Sequence, residues 1–504
     1  MKPWTDIADV DFSSPESIER YAKQLEGMTF REILDLEICP DGVKREYGVK
    51  RYKGGMGALI EERYFNYKAN SSPEPDFEEA GMELKTTCFD TRKDGTVTAG
   101  ERLVLSMIPY NEPAEEDFYR SHLWRKLQDI LLVYYRRDRG VSPYDQYVAY
   151  VGRYTPSDED LEIIRQDYDT IVGYLKAGRA EDLSESLTTY LAANTKGKNA
   201  EDKSHQYYPP HTPAMRRSFS LKRSFMDAVL KDFIDRHIRA PKDTQDISII
   251  KNSEELRSRS FDDIVLELIN SHVGKTDREL CTELGLRYSG NKAQWVSITY
   301  RLLGVKGERS EEFERAGISV RTMKANKSGV IRESLSLSTF EFGDLLDEDW
   351  EGDEAAGVPR APLHAYFEET RFLFVVFQES DKGYVLRGAR FWAMPESDIE
   401  GPLYDCWAET RRIVREGVSL IVSANKSGGI TVKNNLPKAS DNPVAHVRPH
   451  AAQAAYLLED GTEIGEIKKN SSELPDGRWM TKQSFWLNKR YVQEIGHPLL
   501  EQGR

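Results

Sequence analysis

A chain of 504 residues with 39 % hydrophobic and 10 % aromatic content is long enough to bury two cores, so two domains of roughly 250 residues each are expected. A net charge of −14 at pH 7 argues against a surface that is basic throughout, and leaves only a local cluster of lysine and arginine as a way to hold phosphate. The four cysteines, Cys39, Cys88, Cys281 and Cys406, form no C-x-x-C pair, which excludes a disulfide framework or a zinc knuckle and suits a reducing cytoplasm.

The amino terminus, "MKPWTDIADVDF", has neither the basic nor the apolar region of a signal peptide, and no run approaches ~18 apolar residues. The chain is therefore expected to be soluble, cytoplasmic and free of membranes. In chain order, "SPESIERYAKQLEGM" opens with a serine and predicts a helix. "MGALIEERYFNY" puts Met56, Leu59, Ile60, Tyr64 and Tyr67 on one helical face after a glycine loop. "GMELKTTCF", "ERLVLSMIPY" and "DILLVYY" read as strands, and "MPESDIEGPLYDCWAETRRIVREG" as a further helix. Such mixing implies an α/β (α+β) fold with a mixed central sheet flanked by helices. Basic runs stand at 44–55, 134–140 and 215–225, each a solvated face or a phosphate contact. The acidic stretch "LLDEDWEGDEAAG" (345–357) is expected to be a solvated surface loop.

The chain repeats itself. "PDFEEAGMELKT" (75–86) returns as "EEFERAGISVRT" (311–322), and "KGGMGALIEERYF" from Lys53 as "KAQWVSITYRLLG" from Lys292. "EGMTFREIL" is echoed by "VGKTDRELC", "ERLVLSM" by "ESLSLST", "HLWRKLQDILLVYY" by "HAYFEETRFLFVVF", and "RSFSLKRSF" by "QSFWLNKRY". The order is kept and the offset is about 230 to 270 residues, as in two diverged copies of one domain. Polar "RAPKDTQDISIIKNSEE" marks the seam, giving residues 1–240 as the first domain, 241–255 as a linker and 256–504 as the second.

In the first copy, Glu83 and Lys85 occupy alternate positions of a predicted strand and share a face. Asp76 precedes them across the turn-like "EEAG" and can fold back to meet them. Two carboxylates beside an ammonium suit a divalent magnesium ion, which acidifies a bound water and offsets charge on a phosphate. A surface strand of alternating charge is the alternative, since Glu466 and Lys468 in "GEIKK" repeat the E-x-K spacing alone.

Taken in order, "KGGMGALIEERYF", "PDFEEAGMELKT", "HLWRKLQDIL", "YLAANTKGKNA" and "RSFSLKRSF" resemble the mismatch-repair nicking endonuclease MutH over most of residues 20 to 235. With the repeat included, the chain is similar to GATC-cutting type II restriction endonucleases of the Sau type, in which a MutH-like catalytic domain precedes a MutH-like domain that binds DNA without cutting. The resemblance implies a restriction-endonuclease-like fold and a magnesium cofactor. It places the catalytic residues at Glu61, Asp76, Glu83 and Lys85, with Asp76 and Glu83 on the metal. Lys53, Lys196 and Lys222 fall at DNA-facing positions. The recognition-loop pattern, Y-L-x-I-R-P-K-A, is not kept throughout, since "AANT" stands where the arginine and proline belong; in "SFSLK", likewise, Ser220 replaces the usual aromatic.

In the second copy Tyr300, Glu312, Ser319 and Arg321 occupy the positions of Glu61, Asp76, Glu83 and Lys85. One carboxylate is left, and arginine does not give up a proton. Yet "HVRPHAAQA" keeps the recognition pattern, with Arg448 and His450, and "SFWLNKR" keeps Trp486 and Lys489. A copy that keeps DNA-facing residues and loses the chemical ones is expected to bind a second DNA site as an effector.

The expected activity is magnesium-dependent hydrolysis of double-stranded DNA at GATC. The expected protein is a monomer that dimerises or bridges two sites on DNA. A repair nickase of the same fold and a non-catalytic two-domain DNA-binding regulator are the alternatives.

Overall fold

The structure is a computed structural model that describes residues 6–36, 55–68, 72–92, 94–138, 140–196, 202–238, 247–352, 358–424 and 430–501. Lys53, most of the basic run 44–55, Gly197, the 241–246 part of the expected linker and the 353–357 part of the acidic stretch lie outside these residues. The chain forms two compact units, Met1–Val265 with Leu303–Ile318, and Leu266–Leu302 with Ser319–Arg504.

The first unit opens with α1 (Pro15–Ala22), started by the Ser14 side chain accepting from the Ser17 N–H and by proline in the first turn. Helix α2 (Phe30–Asp35) begins with a Thr29–Glu32 capping box. The same box recurs in the second copy as Thr276–Glu279. Helix α3 (Gly55–Leu59) runs on into a wider π turn, Ile60–Tyr64. Strand β1 (Glu83–Thr91) follows, then β2 (Val97–Ala99) and β3 (Leu103–Met107). Helix α4 (His122–Leu127) leads into β4 (Ile130–Arg136) and β5 (Val148–Tyr154). Next come α5 (Asp158–Lys176), β6 (Leu191–Thr195), the short β7 (Lys203–Ser204) and β8 (Ala214–Met215), β9 (Arg217–Leu221) and α6 (Arg223–Ile238).

One sheet runs β2-β1-β4-β5 and a second runs β3-β9-β6. β1 and β4 are parallel, with Glu83 opposite Ile130 and Lys85 opposite Leu132, while β5 is antiparallel to β4. Leu84, Leu131, Val133 and Val151 turn into a core closed by Tyr21, Phe30, Leu59, Tyr64 and Phe77. That leaves the alternate residues at the head of β1 for the site.

In the second unit β10 (Ile318–Ala325) is followed by β11 (Leu335–Phe340), β12 (Arg371–Ser380), β13 (Gly383–Trp392), and a ribbon of β14 (Leu420–Ala424) and β15 (Ile430–Asn434). Then come β16 (Ala445–Pro449), a small sheet of β17 (Tyr456–Leu457), β18 (Glu463–Ile464), β19 (Ser471–Glu473) and β20 (Trp479–Thr481), and β21 (Gln483–Leu487). The orders β10-β12-β13 and β11-β21-β16 restate β1-β4-β5 and β3-β9-β6 of the first unit. Both units have the mixed sheets and flanking helices expected of the fold.

One expectation is corrected. The acidic stretch is not all a solvated loop, because Leu345, Glu348 and Trp350 are buried and the Trp407 indole N–H donates to Glu348 at 2.7 Å. Its apolar residues anchor the acidic ones. Among the described residues no helix is long and apolar enough to cross a membrane.

Candidate active site

The site is built on a tight loop. Phe77 and Met82 exchange backbone hydrogen bonds of 2.9 and 3.2 Å, and Gly81 between them takes φ +65°, a left-handed turn that glycine enters without a side-chain clash. The loop folds Asp76 back over the head of β1. There the Leu84 N–H donates to Asp76 Oδ2 at 3.0 Å and the Asp76 N–H donates to Glu83 Oε2 at 3.3 Å. Lys85, on the same face of β1, places Nζ 2.6 Å from Glu83 Oε1. In the second copy Gly317 makes the same left-handed turn at φ +66°.

Lys126, on α4, is a residue the sequence reading did not single out. Its ammonium lies 3.1 Å from each carboxylate oxygen of Glu83. Glu83 is only 1 % exposed, so its charge is held by two lysines in place of water. A lone lysine in a short amphipathic helix has no pattern to distinguish it. Its signal lay in the fold, since α4 runs straight into β4, the neighbour of β1.

Glu61 sits in the π turn after α3, a local widening common at functional sites. Burial, then the Asp76 charge, push its carboxyl up to about 7, against the pull of Lys85. Burial and then the Glu83 charge also raise Asp76, opposed by Lys85, the Leu84 N–H and Lys126. Three carboxylates therefore share a half-buried niche with two ammonium groups, and their mutual repulsion is incompletely offset. Hard oxygen donors with excess negative charge fit a divalent cation. Among the described residues no three acidic, histidine or cysteine side chains form a preassembled cage. Magnesium needs only one or two carboxylates, completed by water and phosphate.

The residues expected to face DNA fall into two groups in the first unit. Lys196 is exposed just after β6, its N–H donating to the Arg216 carbonyl at 2.8 Å. Lys222 is corrected: it is 1 % exposed and its ammonium donates to the Thr188 carbonyl, so it holds the chain entering β6 from inside. Asp167 completes this clamp by accepting from the N–H groups of Thr189 (2.7 Å), Tyr190 (2.6 Å) and Leu191 (2.9 Å). The second copy builds the clamp from neutral amides. Asn442 accepts from Val444 and Ala445 at 2.9 and 3.0 Å, and Asn488, at the position of Lys222, donates to the Asn442 carbonyl at 2.5 Å.

In the second unit three of the expected residues meet. The Arg448 guanidinium lies 4.4 Å from the centre of the Trp486 ring, and the His450 ring packs edge-on against the same indole at 5.2 Å. Arg448 and His450 are exposed, and Lys489 is exposed at the start of the last helix, Lys489–Glu501.

The chemical positions of the second copy are filled differently. Tyr300 and Ser319 have no carboxylate, and Arg321 donates to the Tyr366 hydroxyl at 3.0 Å. The position of Lys126 is Glu368, paired with Arg360. Glu312 is 6 % exposed and fully used, accepting from Ser248 (2.7 Å), Ile249 N–H (2.8 Å), Ile250 N–H (2.9 Å) and Ser310 (2.8 Å).

Comparison with known proteins agrees with this geometry. The family described as the DNA mismatch repair enzyme MutH matches residues 65–167, which include Asp76, Glu83, Lys85 and Lys126. The DNA mismatch repair protein MutH of Shewanella woodyi is 27 % identical over 224 residues, 43 % of this chain and 92 % of that protein. MutH of Haemophilus ducreyi is 26 % identical over 220 residues, with 43 % and 92 % covered. The type II restriction enzyme Sau3AI of Staphylococcus aureus is 35 % identical over 471 residues, 90 % of this chain and 94 % of that enzyme. Likeness of that extent runs through both copies, and the chain belongs to the MutH-like type II restriction endonucleases, site-specific deoxyribonucleases of the kind to which Sau3AI belongs.

Proposed function

We propose that this endonuclease hydrolyses phosphodiester bonds of double-stranded DNA at GATC with magnesium, that residues 1–240 do the cutting, and that residues 256–504, beyond a 241–255 linker, bind a second DNA site as an effector. The observation that carries the reading is the asymmetry of the copies. Glu61, Asp76, Glu83, Lys85 and Lys126 converge in one, and each position is replaced or diverted in the other.

A magnesium ion held by Asp76 and Glu83 would supply an acidified water and neutralise charge on the scissile phosphate. The chain's own residues do the rest. Lys85 and Lys126 hold the buried Glu83 side chain by both oxygens and present N–H donors toward the phosphate. The Leu84 N–H fixes the rotamer of Asp76, so one carboxylate oxygen is oriented before substrate arrives. Glu61 sits high enough to carry or release a proton near neutral pH. In the second unit Arg448, stacked on Trp486, is suited to a guanine edge or a phosphate. The protein is a monomer that pairs or bridges sites on DNA, since a two-fold symmetric sequence presents the same edge twice.

The test is digestion of methylated and unmethylated plasmids with no, one or two GATC sites in the presence of magnesium, with sequencing of the ends. Double-strand cuts at GATC, faster with two sites, are expected. Nicks alone would favour the repair-type reading, and binding without cutting a regulator.

A further inference from the structure

The catalytic copy lacks the recognition-loop arginine, and a different arginine stands beside the gap. Asn194 on β6 pairs with Ser218 of β9, and Arg448 on β16 pairs with Ser484 of β21. Those serines are equivalent in "RSFSLKRSF" and "QSFWLNKRY", so Asn194 occupies the Arg448 position. The opposite edge strand shows the converse. Leu103 pairs with Leu221 and Leu335 with Leu487, which puts Arg102 at the position of Ser334. Across these two positions each copy carries one arginine, on opposite edges of the same three-stranded sheet.

In the first unit the two positions touch. Arg102 Nη1 donates to Asn194 Oδ1 at 2.7 Å and to Glu185 Oε2 at 2.6 Å. Asn194 is 1 % exposed and cannot reach a ligand, whereas the Arg102 side chain is 30 % exposed. A buried amide and a buried carboxylate grip one nitrogen and so fix the plane of the guanidinium, which suits bidentate donation to a planar acceptor pair. The preceding residue, Glu101, accepts from the Thr87 hydroxyl at 3.3 Å, and Thr87 lies on the face of β1 that carries Glu83 and Lys85. Adjacent residues thus touch the cutting strand and the recognition strand.

We propose that Arg102 is a specificity-determining residue of the catalytic unit, whose guanidinium, aligned by Glu185 and Asn194, donates to the N7 and O6 edge of a guanine in the bound duplex. The proposal rests on the DNA-cutting reading above. It assigns the readout that Asn194 cannot make to a residue on the other edge of the sheet.

The test uses the full chain in single-turnover cleavage, which reads the first unit even if the second also binds. Arg102→Ala and Arg102→Gln are compared with wild type on the cognate duplex, on duplexes changed at one base pair, and on one with 7-deazaguanine, which lacks N7. About a 10- to 100-fold fall in the cognate-to-changed ratio is expected. The analogue should slow wild type and leave both variants unaffected, and Arg102→Ala with Asn194→Arg should recover most of the ratio. An unchanged ratio, or an equal penalty from 7-deazaguanine in wild type and variants, overturns the proposal. Thermal unfolding separates lost folding from lost readout, with Arg102→Gln keeping a donor to Glu185. Should wild type cut a different sequence, the GATC reading fails alone and the same ratio is measured there.

Discussion

Lys126 and Glu83, from different elements of the first unit, meet with one ammonium 3.1 Å from both carboxylate oxygens. Glu83 is buried, and this contact together with Lys85 gives both of its oxygens an ammonium partner there. The carboxylate cluster of the site therefore depends on a helix outside the D…E-x-K motif.

Replacing Lys126 by alanine should lower single-turnover cleavage by about 10²- to 10³-fold, the scale on which one preorganised charge donor is worth. Lys126→Glu, which copies Glu368 of the second unit, should be at least as severe. Binding of uncleaved DNA, measured by anisotropy with calcium, should fall far less.

Asp76→Asn should abolish cleavage with little loss of stability. The asparagine oxygen can still accept the Leu84 N–H, so the loop keeps its hydrogen bond while the negative charge proposed to hold the metal is lost. Cleavage assays beside thermal unfolding check both halves of this expectation, and a large fall in melting temperature would contradict it.

The Asp167 clamp has a pH signature. Burial pushes this carboxyl up to about 6 from its ordinary 3.8, against the pull of three backbone N–H groups and of Lys222. The folded state thus holds the proton more tightly than the unfolded one, so the contribution to stability is full below about 3.8 and falls as pH rises through about 6. Asp167→Asn should flatten that fall in urea titrations. At neutral pH it should also cost about 1–3 kcal/mol, because a buried donor is left without its acceptor. Adding Lys222→Asn, which puts at 222 the residue that Asn488 is in the second copy, should cost less than the sum of the single changes.

Trp486→Ala removes the ring under Arg448 and against His450. A stacked guanidinium is worth about 0.5–1 kcal/mol at an exposed site, so folding should change little. The expected result is loss of the rate advantage of a two-site plasmid, with cutting of a single-site plasmid retained. Equal slowing of both would argue that the second unit supports the first structurally.

Much of this was legible in the sequence because strand chemistry is local. The i, i+2 spacing of Glu83 and Lys85 and the repeated FE-x-AG turn specify neighbours a few residues away, and both copies show the turn. Lys126, Lys222 and Asp167 depend on which strand lies beside which, and no local pattern carries that. Lys222 looked basic and surface-bound by its neighbours, yet a buried carboxylate and a carbonyl draw it inward. Trp350 and Glu348 show the same limit in the acidic stretch, where charge along the chain hid an apolar anchor. Arg102 could be recognised only once strand register made positions in the two copies comparable.

The four hydrogen bonds held by Glu312 would make a cutting site hard to build in the second copy. Its one surviving acid has been recruited to tie down Ser248, Ile249 and Ile250. Restoring glutamate at Tyr300 and Ser319 and lysine at Arg321 would rebuild the letters of the motif without freeing that carboxylate. Freeing it would cost the fold the backbone contacts it now satisfies. The acid position of the second copy thus carries a structural duty, and an attempt to rebuild the first copy's site there would set folding against chemistry.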